Sequence, residues 1–283
     1  MKITVLGTAA ATSFPLAFCK CRVCEAARRN GGKDFRKRSS VVINGDLLID
    51  LGPDSVTACF QYGVDISGIR YLLQTHAHAD HFDAGIFATR HRDYAAADSV
   101  HLDVFCSEGT FRNMDKWVRS QEPSYDLYDE QIRRAMHFDY HPVSKNKTIT
   151  FGDYTVHAID SLHDPGEEAL VYVVSHKSTH ILYGTDLLQF DDEAWEILGK
   201  YRLSAVFLDQ TYGKGCNAGG HTDAGMAAQY VSRMRKMGVI DGNTQVFATH
   251  LSHEGNDIHH VMEEAAQKHG YHIAYDGMTV EVG

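Results

Sequence analysis

The chain has 283 residues, 43% hydrophobic and 23% charged, with a net charge of −10 from 27 Lys and Arg against 37 Asp and Glu. That length allows one large domain or two ordinary ones, with a sizeable core. The acidic balance speaks against a general nucleic-acid binder, which presents a basic face, and no apolar run approaches the roughly 20 residues of a membrane-spanning helix.

The start, Met1-Lys-Ile-Thr-Val-Leu-Gly7, is too short for a signal peptide and reads as a strand over residues 2–6. The expected compartment is therefore the cytoplasm. Cysteine usage agrees: Cys59, Cys106 and Cys216 stand apart, as small buried thiols do in a reducing compartment. Cys19, Cys21 and Cys24 are grouped as Cys-x-Cys-x-x-Cys, three soft thiolates one short of a closed tetrahedral zinc site. His253 is available as the fourth ligand, and such a saturated site would pin the N-terminal loop.

Short apolar or β-branched runs predict strands over 40–43 and 47–50, and a helix over 54–62 begins after Pro53 and ends at Gly63. The apolar Tyr71-Leu72-Leu73 leads into Thr75-His-Ala-His-Ala-Asp-His81. His76, His78, Asp80 and His81 thus crowd the end of a buried strand, where a turning chain can aim several side chains at one spot. Imidazole with carboxylate suits zinc, manganese or iron, and such a metal makes hydroxide available near neutral pH.

Beyond it the spacing predicts a helix over 82–90, a strand over 103–106 and a helical, aromatic-rich segment over 107–141 that resembles a lid insert. Arg112, Arg119, Arg133 and Arg134 of that segment are placed to shape substrate choice. Strands follow over 148–151, 155–159, 170–175, 180–183 and 205–208. A helix over 223–237, a strand over 244–248, a helix over 257–268 and two short strands close the chain. No linker or repeat interrupts this pattern, so residues 1–283 read as one α/β domain with mixed sheets.

His163, Asp186 and His250 each follow an apolar strand, as the first cluster does. His221 stands in a Gly-rich loop before the 223–237 helix, with Asp223 placed to cap that helix. The other histidines, His101, His141, His259 and His260 among them, read as ordinary residues, with His141 of interest because it ends the 107–141 segment.

The run His76-x-His78-x-Asp80-His81, followed in order by His163, Asp186 and His250, resembles the metallo-β-lactamase superfamily. The resemblance covers essentially the whole chain. It implies a four-layer αββα sandwich with two catalytic divalent metals, zinc or manganese or iron, at one sheet edge. On the family pattern His76, His78 and His163 hold one metal, Asp80, His81 and His250 the other, and Asp186 bridges them. Asp50 and Asp223 fall in supporting positions, and Asp80 and His221 carry catalysis, His221 from outside the metal shell. His81 where β-lactam hydrolases have Cys, and His78 where flavin-linked di-iron members have Glu, point to hydrolysis other than of antibiotics.

The cysteine cluster together with Thr-His250-Leu-Ser-His253 narrows the resemblance to the phosphodiesterase branch of phosphonate breakdown and the pyrroloquinoline-quinone biosynthesis branch. The implied partner is a small phosphate ester; a homodimer is compatible, nucleic acid and membrane are not expected. Alternatives are a ribonuclease Z-like nuclease, a glyoxalase II-like thioester hydrolase and a non-enzymatic carrier.

Overall fold

The computed structural model describes residues 1–96, 98–216 and 219–283. The first half supplies β1 (Lys2–Gly7), α1 (Arg22–Asn30), β2 (Ser40–Ile43), β3 (Leu47–Ile49), α2 (Ser55–Tyr62), β4 (Tyr71–Leu73), α3 (Ala84–Ala88), β5 (Leu102–Cys106), α4 (Glu108–Gln121), α5 (Glu130–Ala135) and β6 (Phe138–Pro142). The second half supplies β7 (Thr148–Phe151), β8 (Tyr154–Asp160), β9 (Leu170–His176), β10 (Thr179–Gly184), α6 (Asp192–Leu198), β11 (Ala205–Asp209), α7 (Ala224–Lys236), β12 (Gln245–Thr249), α8 (His259–Gln267), β13 (His272–Ile273) and β14 (Thr279–Glu281).

Two seven-stranded sheets result, ordered β14-β1-β2-β3-β4-β5-β6 and β13-β12-β11-β10-β9-β8-β7. Their inner faces meet in one core that joins Ile43, Ile49 and Leu73 to Tyr172, Val174, Tyr183 and Phe207. The period-2 alternation of a strand sends the neighbouring residues outward. Leu72 packs under α2, α3 and α4, and Val173 packs under α6, α7 and α8. The αββα layering inferred from the resemblance is thus the observed one. Strands β3 to β6 are parallel, as are β10 to β13. Covered on both faces, β3, β4, β10, β11 and β12 are largely continuous apolar runs rather than alternating ones. No helix among the described residues is long and apolar enough to cross a membrane.

The 107–141 segment departs from expectation. It begins as α4, which buries Phe111, Met114 and Val118 against the first sheet, and it ends in β6, paired parallel to β5. It is therefore part of the outer helix layer plus an edge strand, and Phe138 and Tyr140, read as helical aromatics, belong to that strand. Helix α1 was not foreseen, because its cap is a sulfur: Cys21 Sγ accepts from the Cys24 amide. Helix α6 carries an ordinary start signal, Asp191 accepting from the Ala194 amide.

Candidate metal centre

The parallel strands deliver their C-terminal ends to one edge, where open α/β sheets bind ligands. Asp50 follows β3, the 76–81 loop follows β4, Asp186 follows β10, Asp209 ends β11 and His250 follows β12. Asp50, Asp186 and His250 have φ of 65°, 49° and 57°. Left-handed backbone costs a non-glycine residue roughly 1–3 kcal/mol, and it clusters where the fold must aim a functional side chain. Gly52 contributes by absence: a Cβ there would run into the Asp80 carbonyl oxygen, so the 76–81 loop can lie against the turn after Asp50.

One ligating atom from each of His76, His78 and His163 lies within 4.8 Å of the others, and the same holds for Asp80, His81, Asp186 and His250. Asp186 spans the two groups. Its Oδ1 is 3.6 Å from His163 Nε2, and its Oδ2 is 2.5 Å from His81 Nε2 and 3.1 Å from His250 Nε2.

Each ring is anchored from behind. Thr75 Oγ1 is 2.9 Å from His76 Nδ1, Asp50 Oδ2 is 2.7 Å from His81 Nδ1, and Thr211 Oγ1 is 2.8 Å from His250 Nδ1. The Gly220 carbonyl is 2.8 Å from His163 Nδ1, and Asp164 Oδ2 is 3.2 Å from His78 Nε2. The other nitrogen of each ring is left for the centre. His76 Nε2 and Asp186 Oδ2 are buried without a well-formed hydrogen bond despite their close neighbours. Buried polar atoms are normally satisfied. Orphaned atoms aimed at a shared point, with their partners behind them, fit a pair of divalent cations held by nitrogen and oxygen ligands.

Burial is the largest single influence on these groups, and their neighbours decide the outcome. Asp186 is held well below the ordinary carboxylate range by His250 and His81, and Asp80 likewise by the same two rings. His81, facing Asp186, Asp80 and Asp50, is raised well above the ordinary imidazole range, and His250 is pushed up to about 10. His76, buried beside His81, is pushed well below it. Without metal, protons on His81 and His250 offset the buried carboxylates, a charge that bound cations would supply instead.

His221 sits beside this cluster. Its Nδ1 is 3.4 Å from both Asp186 Oδ1 and Asp209 Oδ2, and its ring lies against those of His163 and His250. Asp209 was missed in the sequence reading. It is fully buried, accepts hydrogen bonds from the Leu187 and Thr211 amides and the Thr222 hydroxyl, and stands behind both His221 and His250. The signal was present, an acid at the end of an apolar strand, like Asp50 and Asp186.

For Asp223 the expected capping role holds and the supporting role at the site does not. Its carboxylate accepts from the Gly225 and Met226 amides and caps α7, and no described contact joins it to the cluster. The supporting place is taken by Asp209.

The ligating side chains open into a 230 Å³ pocket walled by Ala10, Thr12, Tyr212, Ser252 and Glu254. Larger cavities lie elsewhere, one of 580 Å³ between α7 and α8, but none of the metal-cluster side chains lines it. A 650 Å³ cavity adjoins the centre at Asp164 and is lined by Arg112, Lys145 and Glu168. Of the four arginines singled out in the sequence, Arg112 alone lines it. Arg119 and Arg134 are engaged by Asp126 and Glu130, and Arg133 by the backbone carbonyls of Leu127 and Tyr128.

Cys19, Cys21, Cys24 and His253 form a third group with ligating atoms within 4.8 Å of one another. His253 Nδ1 is 3.5 Å from Cys21 Sγ and 3.9 Å from Cys19 Sγ, and the Cys21 and Cys24 amides donate to sulfur. Burial pushes Cys24 up to about 12; burial acts the same way on Cys21, but the Cys24 amide and His253 prevail and bring it down to about 6. All are free thiols, and the donor set suits zinc.

A structure of a diphosphatase from the PhnP family, 22% identical, superposes with a TM-score of 0.72 over 99% of this chain and 96% of that one. Zinc-bound PqqB from Methylobacterium extorquens does so at 15% identity and 0.68, over all of both chains. The short form of human tRNase Z matches at 18% and 0.66, again over the whole of both. These likenesses show the shared fold. An octanoyltransferase of Porphyromonas gingivalis is 35% identical over 85 residues, 29% of this chain, and the match spans only 16% of that relative. The family model of the beta-lactamase superfamily domain matches residues 46–269, every residue of the two His/Asp groups falls inside that span, and the chain therefore belongs to the beta-lactamase superfamily.

Proposed function

We propose that the protein is a phosphodiesterase that opens a small cyclic or nucleotide-like phosphate ester with two divalent metals. The observation that carries the reading is the Asp186 carboxylate, set between a three-histidine group and an Asp80/His81/His250 group, with His221 beside it and a small pocket in front. Zinc, manganese or iron would be held there, and when bound it supplies a nucleophilic water and neutralises phosphate oxygens.

The chain's own residues do the rest. Asp80 and Asp186 set the spacing of the two groups. Asp209 holds His221 by Nδ1, which leaves Nε2 to donate a proton to the departing oxygen. Tyr212 and the Ala10–Thr12 stretch close the pocket, and the cysteine group pins that stretch by tying Cys19, Cys21 and Cys24 to the His250–His253 loop. No Lys or Arg lines the pocket among the described residues, which suits the single charge of a diester better than an RNA backbone. That structures named a diphosphatase and a tRNase share this fold supports a phosphate-containing substrate.

The stretch shared with an octanoyltransferase favours one second reading, cleavage of an acyl ester or thioester. Metal-loaded protein assayed on bis-p-nitrophenyl phosphate, a panel of cyclic phosphates and an acyl thioester separates the two. Phosphodiester turnover that is lost in His221→Ala supports the proposal; turnover of the thioester alone overturns it.

A further inference from the structure

The edge of the first sheet carries a group of side chains that the proposed reaction does not use. Parallel pairing of β5 with β6 sets Asp103 directly opposite Asp139, and Phe105 opposite His141. Alternation along a strand puts His101 on the same face as Asp103, and Asp139 on the same face as His141. Like charges directly opposite one another destabilise a sheet. Neither carboxylate has a Lys or Arg ion pair among the described residues. Their partners are crossed histidines instead: His101 Nε2 is 3.3 Å from Asp139 Oδ2, and His141 Nε2 is 2.7 Å from Asp103 Oδ1.

We propose that His101, Asp103 and Asp139 bind a divalent transition-metal ion of the zinc class, at a site separate from the catalytic and cysteine clusters. One ligating atom from each of the three already lies within 4.8 Å of the other two. Metal–ligand bonds of about 2.0–2.2 Å require only small side-chain rotations from there. Nitrogen with two carboxylate oxygens is a donor set that zinc accepts. His141 acts behind Asp103. Its ring is stacked on Phe105, with centroids 4.7 Å apart and planes at 19°, so the nitrogen that holds Asp103 is itself fixed.

His101 and Asp139 are exposed and Asp103 is half-buried, so water completes the coordination and the ion exchanges freely. The site is distinct from the catalytic one. His101 and Asp103 lie at the start of β5, level with Tyr71 at the start of β4, whereas the catalytic histidines follow the far end of β4. Five residue steps of extended chain run from Tyr71 to His76, about 15 Å. Bound metal ties β6, the last strand of its sheet, to β5.

The test uses the full chain with its catalytic and cysteine clusters loaded and excess metal dialysed away. Zn²⁺ is then titrated by calorimetry near neutral pH, and bound metal is counted after equilibrium dialysis. Wild type is expected to take up one zinc per chain beyond its retained content, and to melt higher with zinc than without. The Asp103→Asn/Asp139→Asn double variant should lose that equivalent, keep the retained metal and keep wild-type turnover. Removing two opposed charges at a surface leaves the fold intact, which circular dichroism checks. His101→Asn, which leaves both acids in place, should weaken zinc binding at least tenfold. No additional equivalent in wild type overturns the proposal, as does an equal equivalent in the variants, which would mark an adventitious ion only.

Discussion

Asp50 Oδ2 lies 2.7 Å from His81 Nδ1, and neither side chain has any exposed surface. The other oxygen of Asp50 accepts from Gln74 Nε2 and the Thr75 amide, so the carboxylate cannot turn away and the imidazole cannot turn with it. Such partners hold a ligand ring in one tautomer and one direction. Asp50→Asn keeps the shape and loses the charge. Metal affinity or turnover should fall about 10- to 100-fold, the range found for such partners, with the folded spectrum retained. Metal content and kcat measured together decide it.

Asp209 stands behind His221 and His250 in the same way. Asp209→Asn is expected to lower kcat by about 10- to 100-fold and to leave KM nearly unchanged. Asp223→Ala is the contrast. It should cost about 1 kcal/mol of stability through the lost α7 cap, visible in urea unfolding, with a much smaller effect on kcat.

Cys24→Ser opens the cysteine group. Loss of a zinc held there should lower Tm by about 5 °C, the shift that roughly 1–2 kcal/mol produces in a chain of this size. Because the same loop leads to Ala10 and Thr12 on the pocket wall, turnover should fall while the catalytic metal content stays. Elemental analysis of the variant separates these outcomes.

Arg112 lines the cavity beside Asp164 and forms no ion pair among the described residues. If the larger part of the ester extends there, Arg112→Ala should raise KM about tenfold, the worth of one charge-assisted hydrogen bond. kcat should hardly change. Arg134→Ala, already engaged by Glu130, should leave KM alone.

His259 is half-buried at the start of α8, with Arg36 Nη2 3.0 Å from its Nδ1. Burial first, then Arg36 and Lys33, bring it from 6.5 down to about 4. Its proton is therefore taken up more readily by the unfolded chain between pH 6.5 and about 4. Its contribution to stability is fully present above that window and is lost as pH falls through it. Its NMR titration should stay flat down to about pH 5, and the urea midpoint of His259→Asn should fall less steeply than wild type from pH 6.5 to 5.

The candidate ligands were legible in the sequence because apolar strands end where the chain turns towards the site. His76, His163, Asp186 and His250 each mark such an end, and the structure brings them together. Asp209 obeyed the same rule, but β11 was ended one residue early, at Leu208. The strand β6 was hidden because a short exposed edge strand with two histidine-length polar steps lacks a buried apolar run, and its aromatics matched a helix equally well. Helix α1 was hidden by a cysteine cap. Asp223 was legible as the cap of α7, because an acid before a helical run faces the free amides, but its supporting role at the site does not follow from that place. The crossed pairs at β5 and β6 depend on inter-strand register, which spacing along one strand does not contain.

The most direct test is turnover of bis-p-nitrophenyl phosphate by metal-stripped protein as Zn²⁺ or Mn²⁺ is added back, with wild type and Asp186→Ala compared. Activity that rises with refilling of the catalytic cluster, reaches its full value only when both metal positions are filled, and fails to return in Asp186→Ala is the predicted result. Equal turnover in stripped and refilled protein, or full activity in Asp186→Ala, would contradict the two-metal account.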